Sequence, residues 1–159
     1  FNICGASDDA SLGYSNKTST HLIPNAVKGA LGLRPFSLTC PTVKTKDKTP
    51  IRDYINVVDL AEAHVRAVNF LLKGGENEVI NLGTGTGNSV LEIIEQVQKV
   101  TGVRFNLEKS KPRDGETAKL YTSIKKAKKV LGWEPKRSLE DSIKSLAAWF
   151  TAHPKGWEE

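Results

Sequence analysis

Short apolar runs alternate along this chain with longer segments of helical periodicity, and this alternation limits its fold more than any other feature. Strands are predicted at residues 1–4, 36–39, 54–58, 79–82 and 105–107. Helices are predicted at about residues 20–31, 59–72, 89–100, 123–131 and 138–153. Such alternation is typical of α/β proteins. At 159 residues the chain is long enough for one domain with its own core, so we predict a single α/β domain over residues 1–159.

Helix starts are marked by polar residues that can cap free backbone amides. Three pairs have the spacing of a cap and its partner three positions later: Asp59 with Glu62, Ser89 with Glu92, and Ser138 with Asp141. The helix that follows the first pair is predicted to reach residue 72. Apolar residues recur along it at helical spacing, and we predict that they form its buried side: Ala61, Val65, Val68 and Leu72.

The net charge of +5 comes entirely from the last third of the chain. Residues 1–100 contain ten Lys and Arg against ten Asp and Glu, whereas residues 101–159 contain thirteen against eight. The densest positive run is KKAKK at 125–129, whose lysines fall on one flank of a predicted helix. Nucleic-acid binding would require aromatic or base-reading residues among these lysines, so we interpret the run as a solvated helix face.

Several protein classes are disfavoured by composition. No apolar run approaches the roughly 20 residues that a membrane-spanning helix needs. Cys4 and Cys40 lie far apart without metal-ligand spacing, so we expect two reduced thiols, no metal site and a cytoplasmic protein. The three histidines are scattered without an adjacent nucleophile. The sequence contains no Met and opens on Phe1, and we therefore expect it to be a piece of a longer protein.

Two patterns look like parts of a dinucleotide-dependent oxidoreductase but match it imperfectly. The segment NLGTGTG at 81–87 follows a predicted strand and precedes a helix, but its spacing is G-x-G-x-G rather than G-x-G-x-x-G. We interpret it as a tight turn. Tyr121 and Lys125 have the Y-x-x-x-K spacing of a proton-transferring pair. In so lysine-rich a chain we interpret that spacing as coincidence.

Residues 49–64 (TPIRDYINVVDLAEAH) resemble the signature T-x-V-R-D-Y-I-H-V-x-D-L-A-x-A-H of UDP-glucose 4-epimerases, members of the extended short-chain dehydrogenase/reductase family. Further segments resemble motifs of this family in the same order: FN and GA at 1–6, THLIP at 20–24, NLGTGTGNSV at 81–90, PRDGE at 112–116, LGWEP at 131–135 and HPKG at 153–156. The resemblance covers nearly all of this chain but only about the C-terminal half of such an enzyme. It implies the substrate-binding portion of that α/β fold, without most of the Rossmann domain.

The resemblance also implies roles for residues around a cleft. Asn2 would contact the diphosphate of the substrate, and Phe1 would border the nicotinamide of the cofactor. His21 and Leu22 would lie near the phosphates and the sugar. Tyr54 is a further candidate for substrate contact.

The nucleotide end of the substrate would be held by a second group of residues. Ser37 and Thr39 fall where the uracil is bound, largely by main chain. Arg52 and Arg113 would clamp the diphosphate, because planar guanidinium groups bind such oxygens bidentately. Glu116 would accept from the ribose hydroxyls, since a carboxylate is an acceptor only. The alternatives are that Arg52 pairs with neighbouring Asp53 or another acid and that Arg113 is a surface residue.

Some positions depart from the family pattern. Glu116 replaces an Asp, and Tyr14 stands where an acidic residue is common. CPTV at 40–43 replaces a glycine-containing stretch, and Leu120 sits where an aromatic residue can line the pocket. These changes bear on the selectivity for base and sugar.

The resemblance implies that the intact enzyme interconverts UDP-glucose and UDP-galactose by transient oxidation at C4 with tightly held NAD. In the family, the dinucleotide fingerprint and the catalytic Tyr/Lys pair precede the position of Phe1. We therefore expect no catalytic residue in this chain, no retained NAD and no activity from it alone.

The resemblance further implies packing of residues 54–72 and 79–82 against the dinucleotide domain, and a homodimer in the intact enzyme. In this chain by itself we expect exposed apolar surface at Val57, Val65 and Ile80, and hence self-association. The alternatives are a related nucleotide-sugar epimerase, dehydratase or decarboxylase, or a non-catalytic module that binds a nucleotide sugar or nucleic acid.

Overall fold

The computed structural model describes residues 2–16, 18–105, 107–111 and 114–157, with the backbone alone at residues 39 and 107–110. Its helices in that part of the chain are α1 (Leu22–Ala30), α2 (Val57–Leu72), α3 (Val90–Thr101), α4 (Lys125–Leu131) and α5 (Leu139–Ala152). Its strands are β1 (Asn2–Cys4), β2 (Leu38–Pro41), β3 (Ile51–Arg52), β4 (Tyr54–Asn56), β5 (Asn88–Ser89), β6 (Leu107–Ser110) and β7 (Lys119–Leu120). The predicted α/β class is confirmed.

The strands form small sheets. Strands β1 and β4 are parallel, with Asn2 opposite Tyr54, and β2 pairs with β6 in parallel. A third sheet has the order β5-β3-β7, in which β3 is antiparallel to β5 and parallel to β7. The β1–β4 pair joins the beginning of the chain to the segment that leads into α2. This pairing brings the predicted site residues Asn2 and Tyr54 side by side.

Two apolar clusters hold the helices together. The larger lies among α1, α3 and α5 and is built around the buried side chains of Val27, Ile93, Leu146, Trp149 and Phe150. The smaller joins α2, α4 and β4 through Ile55, Ala63, Ala127 and Trp133. The indole nitrogen of Trp149 donates to the Tyr14 carbonyl oxygen at 3.0 Å, so the larger cluster also fixes the loop before α1.

The capping boxes predicted for α3 and α5 are confirmed. The side chains of Ser89 and Ser138 each accept from the backbone amide three residues later, and their own backbone amides donate to the carboxylates of Glu92 and Asp141. The prediction for α2 is wrong. This helix begins at Val57, and its cap is Asn56, whose side-chain oxygen accepts from the Val58 amide at 2.8 Å. Asp59 lies inside the first turn instead and is 1% exposed.

Asp59 is buried because it binds the segment before α5. Its carboxylate accepts from the backbone amides of Lys136 and Arg137, both at 2.8 Å, and from the Arg137 guanidinium at 2.5 Å. Arg137 also donates to Asp8, at 2.7 and 3.0 Å. This charged group ties three distant segments of the chain together.

The predicted buried side of α2 is exposed. Val65, Val68 and Leu72 are 61%, 56% and 79% exposed, whereas the helix buries Asp59 and Ala63. The expected exposure of Val57 and Val65 is confirmed, while Ile80 is half-buried against the smaller cluster. Residues 79–82 belong to no strand among the described residues, and Val79 is 87% exposed. The predicted strand there is wrong, because an apolar run becomes a strand only where a neighbour completes its ladder.

Candidate functional site

A cavity of about 840 Å³ opens between β1, the first turn of α1, β4 and the first turns of α2. Four of the predicted site residues line it: Asn2, His21, Leu22 and Tyr54. The wall formed by α2 is apolar and consists of Val57, Val58 and Ala61. The cavity therefore combines a few polar side chains with a largely apolar wall, as small-molecule sites commonly do.

Asn2 is held in place by the strand pairing. It is half-buried, and its side-chain amide donates to the Asp53 carbonyl oxygen at 3.2 Å. Because Asn2 stands opposite Tyr54 in the parallel β1–β4 ladder, both residues are fixed by backbone structure on the same wall of the cavity. The amide oxygen of Asn2 has no hydrogen-bond donor among the described residues.

Tyr54 is half-buried, and burial raises the pKa of its phenol to about 12. The positive charge of Arg52, two residues earlier, opposes this rise without cancelling it. At neutral pH the Tyr54 hydroxyl is therefore protonated. It can donate or accept a hydrogen bond with a ligand in the cavity, but it is a poor general base.

His21 is the N-cap residue of α1, but its ring does not cap that helix. Its Nδ1 lies 3.2 Å from the Tyr14 hydroxyl, which in turn donates to Ser19 Oγ at 2.8 Å. Tyr14 also lines the cavity, whereas Ser19 is buried. In the sequence Tyr14 stands out only as a departure from the family pattern, and no local signal connects it with His21 seven residues later.

Arg52 and Glu116 face each other across the third sheet. An Arg52 guanidinium nitrogen lies 2.6 Å from the Glu116 carboxylate, and Arg52 also donates to the carbonyl oxygens of Ile51 and Thr117, both at 2.8 Å. The two side chains are 20% and 21% exposed. Neither lines the cavity, but Tyr54 lies close enough to Arg52 for the charge to act on its phenol. The structure thus brings two predicted ligand residues together as an ion pair.

The remaining predicted residues lie elsewhere or are not described. Ser37 is exposed and precedes β2, and Thr39 lies in β2 opposite Glu108 in the register with β6. Phe1 and Arg113 lie outside the described residues. The proposed roles of all these residues stay predictions.

The glycine-rich turn at 83–87 is organised around Asp53, a residue that our sequence analysis considered only as a partner for Arg52. The carboxylate of Asp53 accepts from the backbone amides of Thr84, Gly85 and Thr122, at 2.8, 3.1 and 3.3 Å. Gly83 packs so closely that an added Cβ would lie 2.6 Å from the same carboxylate. The amides that a phosphate would need are thus already satisfied, which agrees with a structural turn.

The Tyr121–Lys125 pattern also lacks the geometry of a proton-transferring pair, as expected of a coincidental spacing. Tyr121 precedes α4, which begins at Lys125, so the two side chains do not lie one turn apart on a common helix. Cys4 and Cys40 are both buried and are not joined by a disulfide bond, and burial raises the pKa of Cys4 to about 11. The described residues include no cluster of three or more His, Cys, Asp or Glu suited to a metal ion. None of the helices in the described part is long and apolar enough to cross a membrane.

The fold and the sequence together define the family. A model described as GDP-mannose 4,6 dehydratase matches residues 13–146, and the chain belongs to this family. The resemblance to UDP-glucose 4-epimerases within it is confirmed. The UDP-glucose 4-epimerase of Lactobacillus helveticus is 41% identical over 161 residues, which cover 100% of this chain and 49% of that protein.

Solved structures agree with this result. A crystal structure of a UDP-glucose 4-epimerase matches with a TM-score of 0.94 and 38% identity, over 100% of this chain and 49% of that one. The epimerase from Bifidobacterium longum, crystallised in complex with NAD+ and UDP, matches with a TM-score of 0.87 and 34% identity, over 99% and 47%. The chain therefore spans about half the length of the proteins that it matches.

Proposed function

We propose that this chain is the nucleotide-sugar-binding part of a UDP-glucose 4-epimerase and that the whole protein interconverts UDP-glucose and UDP-galactose in the cytoplasm. The observation that carries this proposal is the cavity lined by Asn2, His21, Leu22 and Tyr54, in a chain whose fold matches an epimerase crystallised with UDP. Four residues singled out from three separate sequence motifs converge there. Their convergence supports a shared ligand.

The ligand would extend from this cavity towards Arg52. In our proposal Arg52 and Arg113 bind the diphosphate, because guanidinium groups neutralise its negative charges through bidentate hydrogen bonds. Glu116 accepts from the ribose hydroxyls. Ser37 and Thr39 lie along the uracil. Since Arg52 is paired with Glu116 in the structure, this carboxylate competes with the phosphate oxygens for the guanidinium.

The proposed NAD of the whole protein does not fit the residues described in this chain. The Thr84 and Gly85 amides of the glycine-rich turn are taken by Asp53. Among the predicted residues only Phe1 would border the nicotinamide. We therefore assign no step of hydride or proton transfer to this chain, and we expect it to hold no NAD and to have no epimerase activity by itself.

A second candidate is another nucleotide-sugar enzyme of the same family. The matching family model is described as a dehydratase, and Tyr14 and residues 40–43 depart from the epimerase pattern near the expected sugar and base sites. UDP-sugars bearing different sugars separate the two candidates. If UDP-glucose and UDP-galactose bind no better than UDP, whereas another UDP-sugar does, the second candidate is favoured. Salt-dependent binding to RNA or DNA without UDP binding would favour a nucleic-acid module instead.

Calorimetric titration with UDP tests the proposal. Arg52→Ala should weaken UDP binding about 10- to 150-fold, because a hydrogen bond to a charged group contributes roughly 1.5–3 kcal/mol. Arg104→Ala is the matched control, since Arg104 is exposed, lies away from the cavity and carries the same charge. Equal UDP affinity in the two variants would refute the role of Arg52. Incubation with UDP-glucose and NAD should yield no UDP-galactose, and turnover would contradict the assignment of catalysis to other residues.

A further inference from the structure

Three side chains in and beside the loop before α1 form a short hydrogen-bonded chain at the cavity. Ser19 Oγ accepts from the His21 backbone amide at 3.1 Å and from the Tyr14 hydroxyl at 2.8 Å. The Tyr14 oxygen also lies 3.2 Å from His21 Nδ1. The rings of Tyr14 and His21 have centroids 5.8 Å apart, so the contact includes packing as well as the hydrogen bond.

The positions of the protons among Tyr14, Ser19 and His21 follow from the number of protons that each side chain can donate. A phenol has a single proton, and Tyr14 donates it to Ser19. Towards His21 the Tyr14 oxygen can therefore only accept. A neutral imidazole carries its proton on one of its two nitrogens, and with the Tyr14 proton directed to Ser19 the contact with His21 is a hydrogen bond only when Nδ1 is the protonated nitrogen.

This arrangement leaves the other ring nitrogen as an acceptor. His21 Nε2 makes no hydrogen bond to any residue that the structure describes, and His21 is exposed and lines the cavity. Because the ring does not cap α1 either, the structure gives Nε2 no function within the fold.

We propose that Tyr14 and Ser19 are positioning residues that hold His21 with its proton on Nδ1, so that Nε2 accepts a hydrogen bond from a hydroxyl group of the bound sugar. This inference rests on the proposed function and specifies which part of the ligand His21 recognises. Phosphate oxygens are acceptors and give an unprotonated Nε2 nothing to receive, whereas every hydroxyl of a hexose can donate to it. Tyr14 thereby directs His21 towards the sugar rather than the diphosphate.

The tautomer is measured directly by long-range ¹H–¹⁵N correlation spectra of the full chain with labelled histidine. His21→Gln assigns the His21 signals among the three histidines. We expect the Nδ1–H form in the parent and a shift towards the Nε2–H form in Tyr14→Phe, which keeps the ring and removes only the hydroxyl. Tyr121→Phe removes the same group outside the cavity and should leave the spectrum of His21 unchanged. An unchanged His21 tautomer in Tyr14→Phe would overturn the inference.

The choice of ligand is tested by titrating UDP and UDP-glucose in parallel. Tyr14→Phe should weaken UDP-glucose binding about fivefold and leave UDP binding unchanged, because a single neutral hydrogen bond to the sugar is lost. Equal weakening of both ligands would refute a sugar-specific role. If the parent bound neither ligand, the proposed function and the sugar contact would both be refuted, whereas the spectra would still decide the tautomer.

Discussion

Arg52 and Glu116 show how two residues with separate predicted roles interact before a ligand is present. Each was assigned to a different part of the nucleotide, yet the structure pairs them at 2.6 Å with both side chains about four-fifths buried. An ion pair of this exposure contributes modestly to stability, because water screens part of the attraction. Its main consequence concerns binding, since Glu116 competes with a phosphate group for Arg52.

We predict that Glu116→Gln raises the affinity for pyrophosphate up to about fivefold, the equivalent of roughly 1 kcal/mol for a partly exposed pair. The neutral amide competes less well with phosphate for Arg52. The gain should be smaller for UDP, because the ribose loses its carboxylate partner. Glu134→Gln changes the net charge equally at an exposed pair with Lys128 and serves as the control in the same titrations. A fall in pyrophosphate affinity would show that Glu116 instead supports Arg52 in its binding position.

Tyr54 provides a prediction about pH. Burial raises its pKa to about 12, so its phenol stays neutral in the folded chain at a pH where an ordinary tyrosine has ionised. The stability associated with this neutral form is fully present below pH ~10 and is lost as the pH rises towards 12. In an ultraviolet titration one of the three tyrosines should ionise late, and Tyr54→Phe should remove that phase. The late phase should also be absent in urea, and its persistence there would contradict burial as the cause.

At the scale of the elements, local signals predicted helix starts correctly where the cap and its partner belong to one turn. The pairs Ser89–Glu92 and Ser138–Asp141 satisfy each other without help from the rest of the chain. Asp59 presents a similar local pattern, but the amides of residues 136 and 137 bind it from 77 and 78 positions away. Rules based on neighbouring residues cannot predict a contact over such a distance in sequence.

In the candidate site, too, some features were predictable from local sequence and others depended on contacts between distant residues. Sequence motifs predicted four site residues, and the structure places them around one cavity: Asn2, His21, Leu22 and Tyr54. The contact between Tyr14 and His21 depends on how the loop before α1 folds back. The Arg52–Glu116 pair joins residues 64 positions apart. Sequence patterns therefore predicted residues that prove to share a cavity, while their hydrogen-bond partners required the three-dimensional structure.

Asp59 allows a prediction at the scale of α2. Asp59→Ala would leave two backbone amides without their acceptor and remove one acceptor of the Arg137 guanidinium, which still binds Asp8. Removal of one partner from a buried pair costs about 3–5 kcal/mol. Glu62→Ala removes a more exposed carboxylate from the same group, with contacts at 3.4 and 3.5 Å, and should cost less than about 1 kcal/mol. Urea unfolding of both variants measures the difference. Similar small losses would mean that Asp8 and Glu62 hold Arg137 without Asp59.

At the scale of the whole molecule, α2 has an unusual distribution of polar and apolar side chains. It turns a carboxylate and an alanine inwards, while Val57, Ala61, Val65, Val68 and Leu72 form an exposed stripe along its length. The beginning of this stripe is also the apolar wall of the cavity. Contiguous exposed apolar surface of this kind marks an interaction face. We propose that in a longer protein this face packs against the dinucleotide-binding portion that the resemblance implies.

Without a covering partner, this stripe should drive self-association of the chain. We predict that light scattering shows an average mass above the 17.4 kDa of one chain, increasing with concentration. Val65→Glu places a charge in the middle of the stripe and should shift the equilibrium towards monomer, because burial of an unpaired carboxylate opposes association. Ala148→Glu adds the same charge at an exposed position of α5 and should leave the average mass nearly unchanged. A strict monomer at every concentration, or equal effects of the two substitutions, would show that the stripe on α2 does not mediate contact between copies.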